Sequence, residues 1–379
     1  MLVDIVTLGA FALGLALLIA GAEMLVRGGA GVATAIGVSP LVTGLTIVAF
    51  ATSSPELAVS VQSAFSGQAD IALGNVVGSN IFNILCVLGL SALIAPLTVS
   101  RQLVRLDVPV MVGVSSLLLV LALDGSISRL DGALLSVGLV AYTVWLIRQG
   151  RKESKGAGTD QPRGAEIAKA RAKWAIVVDL ALIAIGLASL VVGSDWLVSG
   201  AVAFARALGV SELIVGLTII AAGTSLPELA TSVVASVRGE RDIAIGNAVG
   251  SSTFNILSVL GLSSLVAPAG IGVSEVALRF DIPVMIAVAV ACLPIFFRGH
   301  VIARWEGALL FGYYLAYLAY LVLNAAQHEA LPTFSAVMAA FVIPITAVTL
   351  LVLTVRYARD GRRLSLSAGV ASTSADEQY

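Results

Sequence analysis

The chain contains an internal duplication, and this repeat constrains the fold more than any single residue does. Residues 44–56 (GLTIVAFATSSPE) are matched by residues 216–228 (GLTIIAAGTSLPE), at an offset of 172 positions (228 − 56). Residues 70–90 are matched by residues 242–262 at the same offset. Since each copy is one supersecondary unit, the duplication predicts two structurally equivalent halves.

The composition is that of a polytopic membrane protein. Hydrophobic residues make up 58% of the chain and charged residues only 12%, and the mean hydropathy is +1.01. Soluble domains carry about 25% charged residues. Both cysteines, Cys86 and Cys292, lie in apolar runs, so neither a disulfide framework nor a thiol metal site is expected. The first apolar stretch lacks a basic n-region and a clear cleavage site, and is interpreted as a retained helix.

Apolar windows predict eleven membrane-spanning helices. The second and seventh are too long for straight spans and contain Pro55 and Pro227, so both are expected to be broken. The GN-x-VGS segments of the third and eighth also favour an interruption. The predicted spans are 4–26, 32–64, 70–95, 103–122, 130–148, 174–198, 203–237, 242–267, 277–297, 303–323 and 333–356.

The distribution of Lys and Arg predicts the orientation. With the amino terminus outside, 19 of the 22 basic residues fall in cytoplasmic segments, leaving Arg129, Arg206 and Arg279 outside. The carboxyl terminus then lies in the cytoplasm. The membrane itself is predicted to be the cytoplasmic (inner) membrane. Each repeat has five helices, an odd number, so the second copy enters the membrane from the opposite side. Inverted repeats of this kind hold a substrate site near the midplane, at their interface.

The predicted organisation has five parts. They are a first repeat (1–148), a cytoplasmic linker (149–173), a second, inverted repeat (174–325), an extra carboxyl-terminal helix (326–363) and a disordered tail (364–379). The linker is charged and contains Gly and Pro without apolar periodicity. It carries only three acidic residues, so a solvated connector is favoured over a regulatory ion-binding loop.

The repeated Thr-Ser-x-Pro-Glu motif predicts an ion site. It puts Glu56 and Glu228 within apolar sequence, where a carboxylate is costly and indicates function. Proline removes a backbone donor and so frees carbonyl oxygens. Together with the hydroxyl and carboxylate oxygens of the motif, these are all hard ligands, which suit calcium or sodium rather than zinc or copper. Two carboxylates also balance one divalent cation. The further candidate ligands are Thr52, Ser53, Ser79 and Asn83 in one copy, and Thr224, Ser225, Ser251 and Asn255 in the other.

Other roles for these residues remain open at this point. Either glutamate could pair with a lysine or arginine, although no basic residue lies in the middle of a predicted span. The asparagines could form interhelical hydrogen bonds. Glu23 and Asp195 also match at an offset of 172, near the ends of the first and sixth helices, where a capping or snorkelling role is favoured over ion binding.

Both copies resemble the alpha repeats of the cation/calcium exchanger superfamily, and most of all its prokaryotic sodium/calcium antiporters. The similarity covers residues 1 to about 325 in span layout and is sharpest at 44–62, 70–90, 216–234 and 242–262. The resemblance implies an all-α membrane fold of two inverted five-helix repeats. The eleventh helix lies outside that ten-helix pattern.

The resemblance also implies the roles of individual residues. Glu56 and Glu228 would bind calcium bidentately, with the backbone carbonyls of Thr52 and Thr224. Some relatives carry Asp at the position of Asn255, and the potassium-dependent members are similar to these relatives. The Asn of this chain therefore argues mildly against potassium cotransport. Flanking sodium sites would use the carbonyls of Ala49 and Ala221 with Ser53, Ser225, Ser79 and Ser251, and Asn83 and Asn255 would form the central pair.

These features predict a secondary active antiporter that exchanges calcium for sodium by alternating access. The alternative is an exchanger of protons for calcium or another divalent cation, although the extra acid of the proton-coupled GNA-x-E pattern is missing here. A cation channel is a rival from another class. An enzyme is not expected, because His300 and His328 lie at loop ends. The expected partners are the transported Ca²⁺ and Na⁺ ions and the bilayer; no cofactor, nucleic acid or obligate protein partner is expected.

Overall fold

The computed structural model describes residues 5–156, 173–208, 218–219, 221–297, 300–352 and 355. Within these residues, nine straight helices are long and apolar enough to cross a membrane, and a bent pair makes a tenth. The helices are α1 (Ile5–Ile36), α2a (Pro40–Thr52), α2b (Ser54–Phe65), α3 (Ile71–Ile94), α4 (Leu103–Asp124), α5 (Arg129–Gly156), α6 (Lys173–Ala207), α7a (Ala221–Gly223), α7b (Leu226–Val237), α8 (Arg241–Val266), α9 (Ala277–Phe297), α10 (Arg304–Ala325) and α11 (Leu331–Val352).

The predicted break of the second and seventh helices is confirmed. Helices α2a and α2b meet at Ser53 with a bend of 45°. Helix α7a ends at Gly223 and α7b begins at Leu226, one residue before Pro227. Both prolines lie in the first turn of the second segment, where the missing N–H costs no helical hydrogen bond.

The predicted interruption at GN-x-VGS is wrong. Both GN-x-VGS segments lie inside regular α-helix, in Ala69–Phe82 and Arg241–Phe254. The departure from α geometry comes later, as π-helical turns at Asn83–Leu88 and Asn255–Leu260. Glycine is tolerated in membrane helices because it lets neighbouring backbones approach. In α8, Gly250 serves this purpose, since a Cβ there would lie 2.8 Å from the Cα of Leu45.

Several predicted helix ends are also wrong. Helix α1 continues past the predicted end at 26 and stops at Ile36, because Gly37 takes a left-handed φ of 70° and Ser39 caps the helix that starts at Pro40. Helix α6 likewise continues to Ala207, past the predicted start of the next span at 203. A polar residue at the edge of an apolar window does not end a helix unless a breaker follows it.

The linker and the tail are only partly described. Helix α5 continues to Gly156, so the first eight residues of the predicted linker, 149–156, are helical. Residues 157–172 and the predicted tail at 364–379 lie outside the described residues. The domain boundaries therefore stay predictions.

Helices α3 and α8 form the centre of the bundle. In their apolar windows, 78% and 83% of the residues are buried, against 39% or less in the other seven straight spans. Two short antiparallel pairs join the halves outside this core. Strand β1 (Leu97–Thr98) pairs with β4 (Val301–Ile302), and β2 (Ser126–Ile127) pairs with β3 (Ile271–Gly272).

Helices α1 and α6 pack against each other through glycine. The contact is antiparallel: a Cβ on Gly14 would lie 2.8 Å from the carbonyl oxygen of Gly193, and one on Gly21 would lie 2.7 Å from that of Gly186. Only glycine allows backbones to approach this closely. The two longest helices therefore form one tightly packed pair.

Replacing Gly21 with alanine is expected to separate this pair. The added methyl group has no room, and overpacking of a tight contact costs about 1–3 kcal/mol of the free energy of unfolding. The measurement is the thermal unfolding temperature of the purified protein in detergent, which should fall. Gly9→Ala is the matched control on the same helix, because among the described residues no atom outside its own helical backbone lies within 4 Å of the added carbon. Equal unfolding temperatures for the two variants would contradict this packing.

Candidate functional site

The two helix breaks put two carboxylates in the protein interior. Glu56 lies in the first turn of α2b and Glu228 in the first turn of α7b. Both side chains are 0% exposed. The positive end of a helix dipole favours a carboxylate in its first turn. Proline thus fixes the start of each second segment, and the glutamate follows at the position where the backbone stabilises its charge.

Each glutamate is held by a serine of the opposite repeat. Ser225 Oγ donates to Glu56 Oε1 at 2.8 Å, and Ser53 Oγ donates to Glu228 Oε1 at 3.2 Å. This exchange of partners puts the centre at the interface between the repeats. Among the described residues, neither Oε2 atom has a hydrogen-bond partner.

Two asparagines brace the helix breaks, and sequence reasoning missed their role. Asn75 Nδ2 donates to the backbone carbonyl of Glu56 at 3.3 Å and to Ser60 Oγ at 2.9 Å. Asn247 Nδ2 makes the same two bonds to Glu228 O (3.2 Å) and Ser232 Oγ (2.9 Å). The asparagine follows the glutamate by 19 positions in both copies, so the repeated GN dipeptide was the available signal.

The same asparagines accept hydrogen bonds from the threonines of the motif, across the interface between the repeats. Thr52 Oγ1 donates to Asn247 Oδ1 at 3.0 Å, and Thr224 Oγ1 donates to Asn75 Oδ1 at 3.3 Å. Each asparagine therefore connects the break of its own repeat to the threonine of the other. The threonine hydroxyls are used in this network, which leaves the backbone carbonyls as the predicted ligands at these positions.

The structure brings most of the predicted site serines together. Ser79 Oγ lies 3.1 Å from Ser225 Oγ, the hydroxyl that donates to Glu56, so Ser79 lies beside the Glu56 carboxylate. Ser251 Oγ lies 3.4 Å from Thr52 Oγ1 and donates to the Ala49 carbonyl at 3.5 Å. These contacts join α3 and α8 to the two breaks.

Ala221 is the first residue of the helical turn that precedes the second break. Its carbonyl remains a predicted ligand, and the other ligand roles likewise remain predictions.

Asn83 and Asn255 are fully buried and open the two π-helical turns. Their surroundings differ. Asn255 Nδ2 donates to Asn80 Oδ1 at 3.2 Å, and its Oδ1 has no partner among the described residues. Both polar atoms of the Asn83 amide lack such a partner. Buried polar atoms are nearly always hydrogen-bonded. The unpartnered amide atoms of Asn83 and Asn255 therefore indicate a ligand-binding site.

The electrostatics of the centre favour a cation. Within the described residues, neither Glu56 nor Glu228 forms an ion pair with a lysine or arginine, so the predicted alternative of a buried acid–base pair is not supported. Burying an unpaired charge costs several kcal/mol. In the described part of the chain, no three His, Cys, Asp or Glu side chains are placed so that they could share a metal ion. The centre thus offers two carboxylates surrounded by neutral oxygen ligands, which a hard cation would balance.

Glu23 has a different role from the one predicted. It forms ion pairs with Arg27 on its own helix and with Arg238 at the end of α7b. It is therefore neither a cap nor a snorkelling side chain, but joins α1 to the segment that carries Glu228.

These features define a class: an inverted-repeat membrane protein with a buried, two-carboxylate centre between broken helices. A family model described as "Sodium/calcium exchanger protein" matches residues 6–148 and 178–323. The putative antiporter CaxA of Alkalimonas amylolytica is 40% identical, over 80% of this chain and 95% of its own length. The sodium/calcium exchanger MaX1 of Methanosarcina acetivorans is 32% identical, over 82% and 96%.

A solved structure of the sodium-calcium exchanger NCX_Mj shares the fold. It is 31% identical, with a TM-score of 0.71, and the match covers 84% of this chain and all of that one. The chain belongs to the sodium/calcium exchanger family. The predicted resemblance and the two-repeat exchanger fold are confirmed, and the protein is a membrane transporter rather than an enzyme.

Replacing Asn247 with alanine is expected to destabilise the second helix break. It removes the hydrogen bonds that Asn247 makes with the Glu228 carbonyl and with the hydroxyls of Ser232 and Thr52, at about 0.5–1.5 kcal/mol for each bond lost. Thermal unfolding in detergent measures the loss. Ser236→Ala is the control, because that buried hydroxyl donates to the Ser232 carbonyl of its own helix, at 2.7 Å, and not to the helix break. A loss no larger than that of the control would contradict the bracing role.

Proposed function

We propose that the protein is a secondary active antiporter that exchanges calcium for sodium across the cytoplasmic membrane. The observation that carries this proposal is the pair of fully buried carboxylates at the interface of two inverted repeats, each with one oxygen that has no hydrogen-bond partner among the described residues. A relative named as a sodium/calcium exchanger, MaX1, and the NCX_Mj structures soaked with Na⁺, Ca²⁺ or Sr²⁺ support the choice of ions.

Calcium binds between Glu56 and Glu228 in this proposal, with the backbone carbonyls of Thr52 and Thr224. The two negative charges match one divalent cation, or two sodium ions in its place, so either load neutralises the centre. An empty centre keeps two uncompensated charges in the membrane interior, where reorientation is costly. Obligatory exchange follows, because only loaded states cross between the two access forms.

Alternating access is proposed to occur by sliding of α1 and α6 against the core that holds α2, α3, α7 and α8. The glycine contacts at Gly14 and Gly21 keep the two moving helices together. The ion pair of Glu23 with Arg238 joins α1 to α7b. Sliding has to break this pair, so the pair stabilises the access state in which it forms.

The orientation proposed is the one that the basic residues predict. The amino terminus lies outside, and the 149–173 segment and the carboxyl terminus lie in the cytoplasm. Glu23 and Arg238 then contact each other in the cytoplasmic half of the membrane. Calcium is extruded when sodium enters down its gradient.

Proton/calcium exchange is the alternative. A glutamate without a basic partner can be neutralised by a proton as well as by a metal ion, and both Glu56 and Glu228 have this environment. The two functions differ in the gradient that drives calcium movement, and this difference decides between them.

The decisive measurement is uptake of radioactive calcium into proteoliposomes. Uptake is expected in vesicles preloaded with sodium and absent in sodium-free vesicles under an imposed pH gradient. Glu56→Gln and Glu228→Gln are each expected to reduce the rate by at least about 100-fold, because either one removes a charge needed to balance calcium.

Glu306→Gln is the matched control. Glu306 is 1% exposed, but its Oε2 accepts the Ala303 N–H at 2.8 Å at the start of α10, away from the centre. It should transport at the normal rate. Normal exchange by the Glu56 or Glu228 variant would exclude the proposed centre. Uptake driven by pH alone would replace sodium with protons as the coupling ion, and calcium flux without a counter-ion would indicate a channel.

A further inference from the structure

The two repeats differ in a polar side chain close to the central asparagines. The first repeat has Asn80 where the second has Ser252, at the offset of 172. Asn80 is 3% exposed and contacts α8 directly, whereas the Ser252 hydroxyl donates to the Ala248 carbonyl of its own helix at 2.9 Å. The amide network around Asn80 therefore has no counterpart at the matched serine.

The hydrogen bonds of Asn80 fix the orientation of its amide. Nδ2 donates to the backbone carbonyl of Ser252 at 3.0 Å and lies 3.5 Å from Sδ of Met285. A backbone carbonyl can only accept, so the group facing it has to be the amide nitrogen. Asn80 Oδ1 is thereby directed at Asn255.

This orientation determines the orientation of Asn255 in turn. An Oδ1 atom can only accept, so Asn255 has to present its Nδ2, which lies 3.2 Å away. Its Oδ1 is then directed elsewhere, buried and without a hydrogen-bond partner among the described residues. A carbonyl oxygen held in this way is prepared to bind a cation and cannot exchange places with the amide nitrogen.

We propose that Asn80 is a positioning residue that holds the Asn255 amide with its oxygen available to the transported cation, and that Asn83 has no such support among the described residues. The two repeats then present unequal ligands: an oriented carbonyl from Asn255 and an amide from Asn83 that is free to turn. The inference rests on the proposed function, because it assumes that a cation occupies the centre. It concerns the affinity for that cation rather than the direction of transport.

The test is a double-mutant cycle on transport. Asn80→Ser introduces the residue that the second repeat carries at this position. It removes one orienting hydrogen bond, so the half-saturating sodium concentration is expected to rise about threefold to tenfold. The maximal rate should stay within about twofold, since the carboxylates remain. Asn255→Ala should raise the half-saturating concentration at least as much, and adding Asn80→Ser to it should cause no further change.

Additive effects in the double variant would overturn the proposal, because Asn80 would then act independently of Asn255. Asn80→Ala serves as the second variant if Asn80→Ser is not recovered as folded protein. Ser115→Ala is the control for loss of a buried polar group nearby. Its hydroxyl donates to Met111 O at 2.8 Å within α4, and its half-saturating concentration should equal that of the unmodified chain.

A second measurement separates this inference from the proposed function. The rise in thermal unfolding temperature caused by NaCl or CaCl₂, with choline chloride as the reference salt, is recorded in detergent for the same variants. A smaller rise for Asn80→Ser supports the positioning role even if wild-type vesicles show no sodium-driven uptake, a result that would exclude only the antiport. An equal rise together with unchanged transport would overturn the inference.

Discussion

The structure depends on one constraint: two carboxylates lie in the membrane interior, and no basic residue in the described part of the chain pairs with them. A buried charge is tolerated only where the surroundings supply hydrogen bonds and a counter-charge. The protein supplies the hydrogen bonds through Ser53 and Ser225, each reaching across to the glutamate of the other repeat. In the proposed function the counter-charge comes from the transported cation. The helix breaks, the serines that reach across the interface and the bracing asparagines all position these two glutamates.

Much of this arrangement could be predicted from the sequence, because duplication makes a local signal visible twice. The repeated Thr-Ser-x-Pro-Glu motif predicted both breaks and both glutamates. The exchange of partners between repeats could not be predicted, because it depends on how the two copies pack. The role of Asn75 and Asn247 was missed for a related reason: the repeated GN dipeptide marks the two positions, but it does not show that the asparagine reaches a backbone carbonyl 19 residues away.

The ends of the helices were the least predictable part of the fold. Hydropathy detects where a segment leaves the hydrocarbon, whereas a helix ends where its backbone is broken. For α1 these two points are separated by the Arg27–Ile36 segment, and the helix stops only before Gly37. The GN-x-VGS segments failed as a sign of interruption because their surroundings matter more than glycine itself. In α8, the neighbouring backbone of α2a fills the space that Gly250 leaves.

The length of the α1–α6 pair ties the protein to its bilayer. At about 1.5 Å per residue, helices of 32 and 35 residues measure about 48 and 52 Å, whereas the hydrocarbon is about 30 Å thick. Helices this long have to tilt or extend beyond the hydrocarbon, and the glycine contact obliges the two to do so together. In the proposed mechanism this pair is the part that moves. Hydrophobic mismatch with the surrounding lipid therefore enters the free-energy difference between the two access states, and the acyl-chain length of the lipid becomes a determinant of transport rate.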